Sequence, residues 1–153
     1  MRKVLHTLVT QGGILLHGSP NLLEEIHPHF ADGEIAICAT TFPELAIIMG
    51  VFKACGPCRM SYVATHHKGT YCIKISMCEK ALAALLYDDP IAYVYSIDAE
   101  DFSKKSPFEY RLYDSIYTQK RIAVSKKDLP FMPVSGQTNY TVILNRQLAS
   151  VLS

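Results

Sequence analysis

His17-Gly18-Ser19 closes the apolar run Ile14-Leu15-Leu16 and puts three side chains of different use at one strand end. An imidazole there can hydrogen-bond sugar hydroxyls, a glycine lets a ligand come close to the backbone, and a serine hydroxyl donates or accepts. The same tripeptide also makes a plain polar turn. Downstream, Ala39-Thr40-Thr41-Phe42-Pro43-Glu44-Leu45-Ala46 carries hydroxyls across a strand-to-helix junction, and equally suits an ordinary junction. Glu109 offers a carboxylate at the head of Glu109-Tyr110-Arg111-Leu112-Tyr113-Asp114. Its plain reading is a solvated strand residue on the face of Arg111. Gln119 can bind a hydroxyl through its amide but supplies no charge.

Cys55-Gly56-Pro57-Cys58 has the letters of the thioredoxin redox pair, whose first thiol is activated by the N-terminus of a following helix. Here the pair follows a helix rather than a strand, residue 54 is alanine rather than an aromatic, and 61–68 shows no amphipathic helix. The plain reading is a helix-terminating Gly-Pro flanked by thiols. A zinc site from Cys55, Cys58 and His66 or His67 lacks a second ligand pair at standard spacing, so no metal is expected. The five cysteines are odd in number and read as free thiols in a reducing compartment. Lys104-Lys105, Lys120-Arg121 and Lys126-Lys127 suit solvated edges; gathered on one face they could hold a phosphate-rich ligand.

These groups need elements to position them. Ile14-Leu15-Leu16 predicts a short buried strand running into the His-Gly-Ser turn, and residues 21–33 a polar, His-rich loop. Residues 34–40 form the next strand. The clearest local signal is a helix beginning at Thr41, with Thr41 and Glu44 as a capping box, Pro43 in its first turn, and Leu45, Ile48, Met49 and Phe52 on one apolar face. Gly56-Pro57 ends it. Tyr71, Ile73 and Ile75 alternate as a half-buried strand, with a hairpin turn at His66-His67 beside Gly69. Ser76 and Glu79 repeat the capping-box pattern before a short Ala/Leu-rich helix that stops at Asp88-Asp89-Pro90. Residues 91–97 are strand-like, and from Phe108 onward the chain reads as successive hairpins over 109–116, 117–125 and 140–144. Helices early and strands late give an α+β class.

The 153 residues suit one domain, spanning 1–153, with enough chain for a proper core. Fifteen Lys and Arg against fourteen Asp and Glu leave a net charge of +1, so no global field draws the protein to nucleic acid or membrane. Met1-Arg2-Lys3 is followed by no apolar h-region, since His6, Thr7 and Gln11 interrupt it. No stretch approaches the roughly 20 apolar residues of a membrane span. A cytoplasmic protein without membrane contact is expected, and an effector exported without a cleaved signal would look the same.

Leu16-His17-Gly18-Ser19 followed by Cys38-Ala39-Thr40 and a helix with Ala46 six positions on from Thr40 resembles the front half of the ADP-ribosyltransferase fold. The resemblance extends through Tyr93-Val94-Tyr95-Ser96-Ile97-Asp98 to residues 116–124, and Glu109-Tyr110-Arg111-Leu112-Tyr113-Asp114 is similar to a strand of the poly-ADP-ribose polymerase branch. It implies split antiparallel sheets with a few flanking helices. It also implies a glycosyl-type transferase that takes NAD as co-substrate in a cleft between the sheets. His17, Gly18, Ser19 and Thr40 would grip the dinucleotide, and an aromatic would stack on nicotinamide. The expected aromatic positions hold Ile37 and Ile48, so Phe52 becomes the substitute. Aligned one way the catalytic position falls near Gln119 or Lys120; aligned the other it is Glu109. Transfer of ADP-ribose to a protein or nucleic-acid acceptor, or NAD binding without turnover, are the two forms of this expectation. Rivals are a redox protein using Cys55 and Cys58, and a partner- or RNA-binding module on the same scaffold.

Overall fold

The computed structural model describes residues 1–31, 33–55 and 60–144. In chain order the described elements are α1 (Arg2–Thr10), β1 (Ile14–Ser19), β2 (Glu25–Ile26), β3 (His29–Ala31), β4 (Glu34–Ala39), α2 (Pro43–Ala54), β5 (Met60–His67) and β6 (Thr70–Met77). They continue with α3 (Glu79–Tyr87), β7 (Ile91–Asp98), β8 (Ser103–Lys104), β9 (Tyr110–Leu112), β10 (Ile116–Tyr117), β11 (Arg121–Ser125) and β12 (Asn139–Leu144). The class is α+β, as composition and order predict. All strand pairs among these elements are antiparallel: sheets β1-β7-β11, β3-β4-β9-β8 and β12-β6-β5, and the small pair β10-β2.

Side chains alternate across a strand, and β1 is buried on both faces. Leu16 joins the large core formed with α2, while Leu15 joins a second cluster with Tyr95, Ile97, Ile37 and Leu112. A strand covered twice reads as a continuous apolar run, which is why Ile14-Leu15-Leu16 is so visible in the sequence. His17 and Ser19 share the Leu15 face; Gly18 shares the Leu16 face.

Helix α2 lies against β1 and β7 and is buried nearly all round, from Pro43 to Ile48 and again at Gly50, Val51 and Phe52. Ile47 and Val51 complete what the sequence reading treated as a one-sided stripe. Its predicted capping box does not form. Phe42 is the N-cap and makes no side-chain cap bond; Thr40 Oγ1 accepts from Phe42 N at 3.1 Å instead. Glu44 accepts from His6 Nε2 at 2.9 Å, tying α2 to α1. The Ser76–Glu79 box is absent too, because β6 runs on through Ser76 and the N-cap of α3 is Cys78. A complete capping box does occur at Ser125 and Asp128.

Two other expectations change. The 21–33 loop contains β2 and β3, each held by a partner remote or adjacent in sequence. The late hairpins are not hairpins: β10 pairs with β2, β11 with β7 and β12 with β6, and only β9 pairs with a neighbour in sequence, β8. Long-range partners took these strands because their apolar faces complete sheets begun earlier. The turn after His66-His67 does form, through Lys68 and Gly69 at positive φ.

Gly18 explains how α2 sits so close. A Cβ at this position would lie 2.0 Å from Ala46 O and 2.7 Å from Gly50 N, both backbone. At Gly50 the nearest neighbour of an added Cβ would be Ala92 Cβ, at 3.1 Å. Gly18→Ala must therefore push helix from strand and is expected to cost about 3 kcal/mol, the upper range for overpacking. Gly50→Ala offsets its tighter contact with about 1 kcal/mol of helix propensity and should stay near neutral. Urea denaturation of both variants checks this; equal midpoints would refute the packing account.

Candidate functional site

The Leu16–Thr40 bridge positions the site. Leu16 N donates to Thr40 O at 2.8 Å and Thr40 N to Leu16 O at 2.9 Å, drawing the ends of β1 and β4 together. His17, next in the chain, is 3% exposed, and its Nδ1 lies 2.7 Å from Cys38 O. A carbonyl only accepts, so Nδ1 carries the proton. In the neutral ring, Nε2 is then the acceptor. Burial lowers the His17 pKa to about 4 against the backbone bond that favours the charged ring, with Lys53 and His29 adding to the fall. The imidazole is neutral at physiological pH and acts as a fixed hydrogen-bonding group.

Glu109 stands just before β9, whose pairing with β4 matches Ala39 to Tyr110 and Cys38 to Arg111. Arg111 Nη2 donates to Glu109 Oε2 at 3.1 Å, and Nη1 donates to Glu34 Oε1. Tyr113 donates to the same Glu34 oxygen at 3.1 Å. Arg111, with a side chain 11% exposed, sits between two carboxylates. Glu34 first and Glu109 second raise its pKa, and Arg111 holds the Glu34 carboxyl below its ordinary value. The plain reading that Glu109 and Arg111 share a face is correct, and their pairing fixes where the carboxylate points.

The loop after Ser19 is pinned from β7. Tyr95 lies opposite His17 in the β1–β7 register, and its buried hydroxyl donates to Asn21 O at 2.6 Å and accepts from Leu23 N at 2.7 Å. Thr118 N donates to Glu24 O, adding a second anchor. Ser19 Oγ accepts from Asn21 N at 3.2 Å. Tyr95 thus serves strand and loop packing.

Three recesses run along one groove. One of about 430 Å³ is lined by His17, Ser19, Asn21, His27, His29 and Lys53 among others. The next, about 310 Å³, shares His17, His29 and Lys53 with it and reaches Cys38, Met49, Tyr62 and Glu109. The third, about 440 Å³, shares Cys38, Met49, Tyr62 and Glu109 and continues between Leu45, Met60 and Phe108. His17 and Glu109 therefore face a common cavity although they come from different sheets. The His17 and His29 rings meet edge-on at 6.4 Å.

The residues singled out in the sequence divide. His17, Ser19, Thr40 and Glu109 line the groove. Gly18 serves the helix contact rather than the cavity. Phe52 points into the core, 7% exposed, with its ring edge-on to Tyr62 and to Phe131 at 6.3 Å each. Helix α2 turns Met49 and Lys53 to the groove, and the phenyl-type rings that line its middle recess are Tyr62 of β5 and Phe30 of β3. Gln119 is exposed, its backbone N–H bonded to Ser96 O. The cation of the site is Lys53, which keeps solvent access while the surrounding protein lowers its pKa by desolvation, Cys38 opposing. The doublets are spent elsewhere: Lys104 and Lys105 lie over Tyr110 and Tyr113, Arg121 over Tyr93, and Lys126 bonds Leu86 O and Asp88 O. Lys53 was legible only as the i+4 neighbour of Met49.

Cys55 ends α2 as its C-cap, where the negative end of the helix dipole works against a thiolate; Cys58 lies outside the described residues. No group of three or more His, Cys, Asp or Glu suited to a metal occurs among the described residues. No described helix is long and apolar enough to cross a membrane. No family model, curated protein or solved structure matches this chain.

His17 makes stability depend on pH. An unfolded imidazole with pKa near 6.5 binds a proton that the folded one refuses until pH falls to about 4, so stability is lost as pH drops through this window. The loss between pH 7 and pH 4 should be about 3 kcal/mol from this group. His17→Gln should flatten that slope in urea titrations at stepped pH. An unchanged slope would show that another group governs it.

Proposed function

We propose that this chain is an ADP-ribosyltransferase-type domain that binds NAD and uses Glu109 as its carboxylate. The observation that carries the reading is the shared cavity of His17 and Glu109, reached from two sheets joined at Leu16 and Thr40. The donor set fits a dinucleotide. Neutral His17 offers an acceptor at Nε2 for a ribose hydroxyl, Ser19 lies on the same strand face, and Lys53 supplies positive charge suited to the pyrophosphate. The Tyr62 ring, edge-on to Phe52, lines the groove and would stack on nicotinamide, the role the resemblance assigns to Phe52.

In this reading Glu109 stabilises the positive charge that develops on the ribose as the nicotinamide bond lengthens, and it holds a ribose hydroxyl. Arg111 orients it. The Arg111 bond fixes the carboxylate at one place along the groove. Gln119, which lines none of the three recesses, has no part in it.

Isothermal titration of NAD, together with nicotinamide release, tests the proposal. Glu109→Gln should retain binding and lose about 10²–10³ in turnover. His17→Ala should weaken binding by about tenfold, in line with about 1.4 kcal/mol for one buried hydrogen bond. Absence of binding at millimolar NAD, with His17→Ala indistinguishable from the parent chain, overturns it.

A further inference from the structure

Glu109 divides the groove into arms of different chemistry. Toward His17 the lining is polar and carries Lys53. Away from it, the recess of about 440 Å³ is built on Leu45, Met49, Met60, Ala64 and Phe108, with hydroxyls from Thr40, Ser61 and Ser106 at intervals. Glu109 is the only charged side chain among the described residues that line this second arm.

We infer that the apolar arm is the acceptor site, and that the acceptor is a compact molecule with an apolar body and a hydroxyl or amine nucleophile. This rests on the transferase reading above. Displacement at a sugar carbon needs nucleophile and leaving group on opposite faces, so the acceptor requires its own room beside the carboxylate. The apolar arm opens from the junction that Cys38, Met49, Tyr62 and Glu109 share with the polar arm. Its walls favour burial of hydrocarbon or an aromatic ring, at roughly 25 cal/mol per Å² of apolar surface. Its one carboxylate attracts an N–H or O–H donor and repels a phosphate chain, which disfavours a nucleic-acid acceptor.

The step balances without a further reagent. The acceptor lone pair forms a bond to the anomeric carbon of the ribose while the bond from that carbon to nicotinamide breaks. The bonding pair leaves on the ring nitrogen and neutralises the pyridinium. The acceptor's proton passes to the Glu109 carboxylate and from there to solvent.

Tyramine is a suitable probe, having an aromatic body with both nucleophiles, and a 5′-phosphorylated oligonucleotide is its counterpart. The full chain is incubated with NAD and each probe, and ADP-ribosyl adducts are read by mass spectrometry. The expected result is a tyramine adduct at least tenfold above any oligonucleotide adduct. Ala64→Trp, and independently Ser61→Trp at an exposed position of β5, should cut the tyramine adduct tenfold or more while NAD affinity stays within twofold. An oligonucleotide adduct of equal yield overturns the inference, as does loss of NAD binding in both variants, which would assign the arm to NAD itself. A chain that binds no NAD sinks the transferase reading separately. Saturation-transfer spectra of tyramine then decide whether the arm takes such a molecule: signal lost in both variants supports it, and signal unchanged refutes it.

Discussion

Two backbone hydrogen bonds between Leu16 and Thr40 join sheets that otherwise have separate strand partners. Everything chemical in the groove depends on that junction. It sets Cys38 O within reach of His17, so the ring takes one tautomer. It brings β9, paired with β4, into position to present Glu109 to the same cavity. Thr40 is used twice there, through its backbone and through the hydroxyl that turns the chain into α2. Because β1 is sandwiched, its two faces have separate duties. Gly18 surrenders its side chain to the helix so that His17 and Ser19 can face the groove.

The electrostatics follow a similar separation. Burial keeps His17 neutral, Lys53 stays at the margin where solvent can reach it, and the carboxylate is steadied by Arg111. A neutral acceptor, a cation and a paired anion coexist along one groove because each is placed at a different depth. Arg111 is shared with Glu34 on β4, so the carboxylate's orientation is tied to the same strand that carries the junction.

Strands buried on both faces were readable because they leave an uninterrupted apolar run, as at Ile14-Leu15-Leu16 and over β4 and β7. Helix α2 was readable from its period, though its full burial was not: Ile47 and Val51 look like any apolar residues until a second surface covers them. Helix α1, with Leu5, Leu8 and Val9 buried, is hard to read because the same His6 and Thr7 that break a signal-peptide core also form the polar face of a short amphipathic helix. Strand partnership was hidden for a different reason. Alternation tells which face is apolar but not which strand lies alongside, so Tyr117 and Arg121 suggested hairpins where β2 and β7 were the partners. Of the groove's lining, His17 and Ser19 stand out by type, and Thr40 and Glu109 through the motifs around them. Lys53 and Tyr62 do not, since a lysine ending an apolar helix and a tyrosine on an edge strand carry no local mark of a ligand.

The pairing that makes the groove has a kinetic consequence. Ile14 meets Asp98, and Arg121 meets Tyr95, so β1 has no sheet to join until most of the chain exists. Contacts of such long sequence separation must be closed at an entropic cost before they stabilise anything, which slows folding. During synthesis Leu15 and Leu16, both fully buried in the finished fold, are left without their final neighbours. Strand β1 is thus made well before its partner β7 and stays unsheltered until β7 emerges, an apolar segment of the kind that chaperones bind.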